Sequence, residues 1–140
     1  MTHKAKDWKI DHIQDHISNT LPLSRHFGLQ IEEVNPEKCM LSISKTDFSL
    51  RSGGGVAGPI LFAAADVSSY ALIISARSDP NAVTVNNNIN FLRRASMLPV
   101  FAQTTFLKMG QKLATTETRV FMNESPSHLI AIAISTWAFS

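Results

Sequence analysis

The order of elements predicts an α+β protein in which one antiparallel sheet wraps a long, apolar central helix. Three observations carry this expectation. The stretch Gly58–Ala76 is apolar around most of its circumference, so a helix there must be enclosed by other structure. Four strand-like stretches follow it, at Val83–Leu92, Val100–Lys108, Leu113–Met122 and Leu129–Phe139. Short turns join the last three, Met109-Gly110-Gln111-Lys112 and Asn123-Glu124-Ser125-Pro126, and short turns mean antiparallel neighbours. A sheet with an apolar face and a helix with no polar face satisfy each other.

The elements follow in order. Trp8, Ile10, Ile13 and Ile17 form an apolar stripe at helical spacing, which predicts an amphipathic helix over about Trp8–Asn19, ended by Leu21-Pro22. Phe27–Val34 alternates Leu29 and Ile31 with Gln30 and Glu32, the mark of a half-buried strand. Asn35-Pro36-Glu37-Lys38 is a turn, and Cys39–Lys45 returns as its hairpin partner. A glycine-bearing loop, Thr46–Val56, leads to the central helix, where Pro59 suits a first turn whose N–H would go unused. At 1.5 Å per residue that helix would be roughly 30 Å long.

A chain of 140 residues suits one domain, residues 1–140, with the N-terminal helix in about the first twenty. With 44% hydrophobic and 17% charged residues it can bury a core and still show apolar surface, which predicts an oligomer. A net charge of +2 demands no nucleic-acid partner, and the pI of 8.9 is compatible with anionic ligands. Cys39 is the only cysteine, so no internal disulfide forms and a reducing compartment fits best. No apolar stretch follows the first lysines as a secretory signal would require, and Asp66, Ser68 and Ser69 interrupt the best membrane-span candidate. The expectation is a soluble, cytoplasmic protein with no membrane partner.

Asp66 is the only acidic residue between Asp47 and Asp79, and it falls inside the apolar helix. Burying a carboxylate there is costly unless a partner or a reaction uses it, which marks a candidate site. The competing reading is a structural pairing across a subunit contact. Ser68 and Ser69 lie within a turn of Asp66; serines in buried helices more often bond their own backbone. By simple alternation Val83, Val85, Asn87, Ile89 and Phe91 share one face of their strand and Thr84, Asn86, Asn88 and Asn90 the other. Asparagine is depleted in strands, so the polar face reads as a subunit interface in preference to a groove or solvent face.

Three other patterns point elsewhere and are weaker. Gly53–Gly58 matches a G-x-G-x-x-G string, but a dinucleotide fingerprint needs a parallel sheet, and the strands here are linked as hairpins. His12 and His16 with Asp15 have no third distant ligand and read as surface histidines, so no metal site is expected. Cys39 reads as a small buried apolar residue.

Three stretches together resemble the hotdog-fold acyl-CoA thioesterases, in particular those of the phenylacetate-pathway type, over about Pro22 to the C-terminus. They are Gly54-Gly55-Val56-Ala57-Gly58-Pro59 leading to Leu61 and Ala65-Asp66, the strand Val83–Leu92 followed by Arg93-Arg94-Ala95, and Lys108-Met109-Gly110-Gln111-Lys112. The resemblance implies that Asp66 is the catalytic carboxylate, as nucleophile or as base toward water. It implies that the Gly58 N–H polarises the thioester carbonyl, and that Thr84 orients water. A helix N-terminus offers unpaired donors and partial positive charge to an oxyanion. For coenzyme A, here part of the substrate and not a cofactor, Arg93, Arg94, Lys108 and Lys112 are candidates for its phosphates. A site formed between subunits is implied, hence a homodimer or a homotetramer. The family usually has His-Gly-Gly where this chain has Ala57-Gly58-Pro59, and an asparagine in the preceding loop, where Ser49-Leu50-Arg51-Ser52 has none. The alternative is a non-catalytic hotdog module that binds acyl-CoA or serves in assembly. A hotdog dehydratase or hydratase would call for a site histidine, and His3, His12, His16, His26 and His128 lie outside the central loop and helix.

Overall fold

The computed structural model describes residues 8–47, 54–96, 99–122 and 125–140. Ser49–Ser52 in the central loop, Asn123 and Glu124 in the last turn, and the first seven residues lie outside them. The elements are α1 (Ile10–Thr20), α2 (Leu23–His26), β1 (Leu29–Val34), β2 (Lys38–Ile43), α3 (Gly58–Arg77), β3 (Val83–Phe91), β4 (Val100–Met109), β5 (Leu113–Met122) and β6 (Leu129–Ala138). The strands form one six-stranded antiparallel sheet in the order β1-β2-β4-β5-β6-β3, with β1 and β3 at its edges. The α+β architecture expected from the sequence is the one observed, a hotdog fold with α3 packed along the sheet.

The apolar content of α3 goes into that packing. Leu72, Ile73 and Ile74 have no exposed surface, and Ile60, Ala64 and Ala71 meet the buried faces of β2 and β4 through Leu41, Val100 and Ala102. Each such aliphatic side chain contributes about 1.5–3 kcal/mol when fully buried. By length and composition α3 would meet the requirement for a membrane span, despite Asp66, Ser68 and Ser69, but most of it is enclosed by the fold. The helix starts after Ala57 with Pro59 in its first turn, and ends at Ser78, which takes the left-handed conformation (φ 52°) and donates its N–H to Ile74 O at 2.8 Å. That is the αL closure of a helix C-terminus.

The N-terminal segment covers one end of this layer. Ile13 and Ile17 of α1 are buried in the main core. α2, a single turn that the sequence pattern did not indicate, leads into Gly28 (φ +69°), where an added Cβ would collide with the carbonyl of Ser44. Only glycine fits that position, because the backbone is both left-handed and in close approach.

Candidate active site

The site is built where α3 passes β3. Gly58, Phe62, Asp66 and Tyr70 recur every four residues and so share one side of the helix. Three of them have identified neighbours. A Cβ at Gly58 would sit 3.5 Å from Cζ of Phe91. Thr84 Oγ1 donates to Asp66 Oδ1 at 2.9 Å. The Tyr70 hydroxyl donates to Pro80 O at 2.5 Å. The helix therefore runs antiparallel to β3, with its start over Phe91 and Asp66 over Thr84.

A bulge decides which face of β3 meets the helix. The register with β6 shifts between Thr84 and Asn86, leaving Val85 as the extra residue. Thr84, Asn87, Ile89 and Phe91 pair with Trp137, Ser135, Ala133 and Ala131, all of them buried residues of β6. These four face the helix; Asn86, Asn88 and Asn90 face outward. Simple alternation had placed Thr84 with the outward asparagines. The bulge turns it inward, and that turn is what brings it to Asp66.

Asp66 is half-buried, and its carboxyl is held above the usual carboxylate range: burial pushes it up, and the Thr84 hydrogen bond offsets part of that. A carboxylate raised in this way is a better proton acceptor near neutrality than an exposed one. At the helix start, Pro59 has no N–H, while Ile60 and Leu61 both donate to Ala57 O, at 3.0 and 3.3 Å. The Gly58 N–H is thus the donor that the first turn leaves over. It borders a groove of about 260 Å³ lined by Val56, Leu61, Phe91, Arg93 and Arg94.

The two serines beside Asp66 do something else. Both are fully buried, and both bond to threonine hydroxyls of the sheet instead of their own backbone. Thr104 Oγ1 lies 2.7 Å from both Ser68 Oγ and Thr118 Oγ1, and Ser69 Oγ is 2.9 Å from Thr116 Oγ1. The same row of hydroxyls continues to Ser135, which donates to Asn87 Oδ1 at 2.7 Å. The amide nitrogen of Asn87 is buried without a hydrogen-bond partner, a feature that no sequence pattern marked.

The basic candidates separate into two groups. Arg93 and Arg94 flank the groove at the Phe91 end of β3; Arg94 donates to Gly54 O at 2.7 Å, and Arg93 lies 3.4 Å from His128 Nδ1. Lys108 and Lys112 are exposed near the β4–β5 turn, at the other end of the sheet, where Leu113 and Val83 both pair with Ala138. One chain does not bring the four together.

The remaining patterns resolve structurally. His16 is half-buried, not on the surface as expected, with Nε2 3.0 Å from the Tyr70 hydroxyl. Among the described residues no group of three or more His, Cys, Asp or Glu side chains is placed to hold a metal. Cys39 is buried, and burial pushes its thiol up to about 12, which makes it unreactive. The sheet after Gly54–Gly58 is antiparallel throughout, so the glycine run is not a dinucleotide fingerprint.

The family model described as "Thioesterase superfamily" matches residues 53–126, more than half of the chain. The chain belongs to the thioesterase superfamily. Its fold is similar to that of a protein from Silicibacter sp. described as a proposed thioesterase, with 26% identity, 95% of this chain and 92% of that one covered, and a TM-score of 0.82. Two further thioesterase-superfamily structures share the fold at lower identity. One is a thioesterase of Haemophilus influenzae (16% identity, 96% and 92% covered, TM-score 0.83) and the other is zebrafish thioesterase superfamily member 2 (18%, 95% and 99%, 0.81). No curated protein matches the sequence. The superfamily match takes in α3 from its first residue, β3, β4 and β5, and so includes Gly58, Asp66, Thr84 and the four basic candidates.

Proposed function

We propose that this superfamily member hydrolyses an acyl-CoA-type thioester, with Asp66 as general base and the Gly58 N–H as oxyanion donor. The observation that carries this reading is the half-buried Asp66 carboxylate, held at one oxygen by Thr84 and carrying a raised proton affinity. Its second oxygen is left to take a proton from water. The water oxygen adds to the thioester carbonyl carbon as Asp66 takes the proton. The Gly58 N–H stabilises the negative charge that gathers on the carbonyl oxygen. Collapse breaks the C–S bond, and the proton passes to the departing sulfur. The Thr84 hydroxyl fixes the carboxylate and offers its lone pair to the same water. Arg93 and Arg94 at the groove suit the phosphates of coenzyme A.

One chain cannot do this alone. Gly58 and Asp66 are eight residues apart on α3, about 12 Å along the axis. A water in attacking position and a donor on the carbonyl oxygen must both lie roughly 3 Å from atoms that are themselves bonded. A second copy closes the gap. β3 is an unpaired edge strand whose midpoint is Asn87. Antiparallel pairing with its own copy about a two-fold axis near that midpoint sets the Thr84 end of one chain against the Phe91 end of the other. Asp66 then works with the partner's Gly58. Lys108 and Lys112 come to the same end of the assembly as the partner's Arg93 and Arg94. The functional unit in this reading is a homodimer, singly or paired into a homotetramer, and a cytoplasmic location is part of the same proposal, in keeping with an acyl-CoA substrate and a single free thiol.

Release of free coenzyme A from short, aromatic and long acyl-CoAs tests the chemistry, and complementation tests the arrangement. Asp66→Asn and Gly58→Pro should each be inactive. Mixed and refolded together, they should regain about a quarter of the wild-type rate, because half the dimers are mixed and each of those holds one intact site. Inactive mixtures would show that each chain carries its own complete site. Binding of acyl-CoA by the wild type without thiol release would instead make the protein a binding module.

A further inference from the structure

Two buried side-chain polar atoms among the described residues have no hydrogen-bond partner, Asn87 Nδ2 and Trp137 Nε1. Trp137 sits in a small apolar cluster with Ile73 and Ala82, its ring stacked on Tyr70 at 5.8 Å. Asn87 is different, because its surroundings are polar and ordered. It ends the row of core hydroxyls, in which Thr104, Thr118, Ser68, Ser69, Thr116 and Ser135 all have partners within 3 Å. The Ser135 hydroxyl holds Asn87 Oδ1, so the NH2 group is turned away from Ser135, and turning the amide over would only exchange one orphaned atom for another. A buried donor left without an acceptor is unfavourable, and a ligand oxygen would supply the missing bond.

Its position says what that ligand is. Asn87 lies on the helix-facing side of β3, the next such residue after Thr84, and does not donate to Asp66. In the two-fold arrangement above, the partner's Arg93 and Arg94 lie at the Val83 end of the strand. Coenzyme A therefore approaches from that end. Asn87 is on the other side of Asp66, toward the middle of β3, where the acyl group must go. We propose, resting on the thioesterase reading, that Asn87 Nδ2 is a specificity donor for an oxygen on the acyl group, a hydroxyl or oxo group on the second or third carbon. The rest of that side of the site, Phe62 and Ile89, is apolar and accepts the remaining chain.

A hydrogen-bonding site discriminates against a substrate lacking the group more sharply than an apolar pocket discriminates size. The test compares acyl-CoAs of equal chain length with and without a 2-hydroxy, 3-hydroxy or 3-oxo group, by thiol release. The wild type should favour at least one oxygenated form by about tenfold or more in kcat/KM. Asn87→Leu, which keeps the shape and removes the donor, should lower kcat/KM for that substrate by about tenfold and leave the plain acyl-CoA within about twofold. Ser135→Ala keeps the amide and frees its orientation; it should reduce the preference partly, and it carries the comparison if the leucine variant does not fold. Equal turnover of all forms by the wild type, an equal loss on both classes, or loss of the dimer as the only effect of Asn87→Leu would overturn the proposal. No thiol release from any substrate would instead sink the thioesterase reading itself.

Discussion

The two edges of the sheet are treated in opposite ways. At β1 the edge is closed. A bulge between Ile31 and Glu33 breaks its line, Gln14 Oε1 of α1 accepts the Ile31 N–H at 2.8 Å, and Glu32, Glu33 and Lys38 surround it with charge. Bulges, charges and covering side chains are the usual means of keeping another strand off an edge. β3, nine residues long, has its bulge close to one end at Val85, and among the described residues it carries neither charges nor a covering side chain on the outer side. Val83, Val85 and Phe91 are 60%, 59% and 53% exposed, and the outward residues are neutral asparagines. In the dimer proposed above, the open edge is the one that pairs with a second copy. The candidate catalytic groups lie along the same edge, so in that reading assembly and chemistry are joined there.

The largest effect should come from the carboxylate beside that edge. Asp66→Asn should lower kcat by about a thousandfold, in the range of a lost general base. It should also raise stability at neutral pH. The sign follows from the pKa: burial raises the folded-state value above the unfolded one, so the folded state gives up its proton less readily. The contribution of Asp66 is favourable at low pH and is lost as pH rises through that raised value, and asparagine removes the charge altogether. A higher Tm with turnover abolished is the expected pair of results. A lower Tm would make Asp66 a structural pairing residue. In the wild type, the acid limb of kcat/KM should fall above the ordinary carboxylate range.

Next comes the open edge itself. Asn86→Lys with Asn88→Lys places like charges where two copies of β3 would meet, on side chains that face outward and leave the core untouched. Light scattering should show monomers, and turnover should fall by about a hundredfold or more, because in the proposed dimer Asp66 works with the Gly58 of a second copy. The same charge on the closed edge, Gln30→Lys, should change neither. Turnover that survives in a monomer would break the link between the edge and the site.

Thr84→Val is a smaller perturbation, about tenfold in kcat/KM, since the carboxylate remains but loses the bond that orients it. The Thr84 hydrogen bond lowers the proton affinity of Asp66 against burial, so its loss should shift the acid limb to higher pH. An unchanged limb would place the Thr84 hydroxyl outside the titrating unit.

Much of this was legible in the sequence. A lone acid in an apolar run located α3 and Asp66 together, because burial and charge conflict in a way that composition alone reveals. The strands followed from turn residues. The orientation of Thr84 was not legible: Val85 is as good a strand residue as any, and a bulge depends on the register with β6, which lies some fifty residues away. Alternation did set Asn87 on the apolar face with Ile89 and Phe91, apart from the other asparagines, but it gave no sign of a partner there. The significance of Asn87 comes from Ser135, a contact that sequence spacing does not display. His16 was misread because Tyr70, which turns it inward, belongs to another element. α2 escaped notice because four residues are too few to show a period.

The smallest expected effect tests the closed edge. Gln14 sits on α1 and uses its amide twice, accepting from Ile31 N–H and donating to Ser18 Oγ at 3.0 Å. Gln14→Ala should cost about 1 kcal/mol of stability by denaturant titration, the net worth of a part-buried hydrogen bond. Turnover and dimer size should not move, since β1 lies at the opposite edge of the sheet from the candidate site and its bulge and charges remain. The informative measurement is association at high protein concentration. If Gln14 helps to keep the β1 edge closed, the variant should form larger species that the wild type does not, while the β3-mediated dimer persists. If no larger species appear, the bulge and the glutamates suffice, and the Gln14 amide serves only to fix α1 against the sheet.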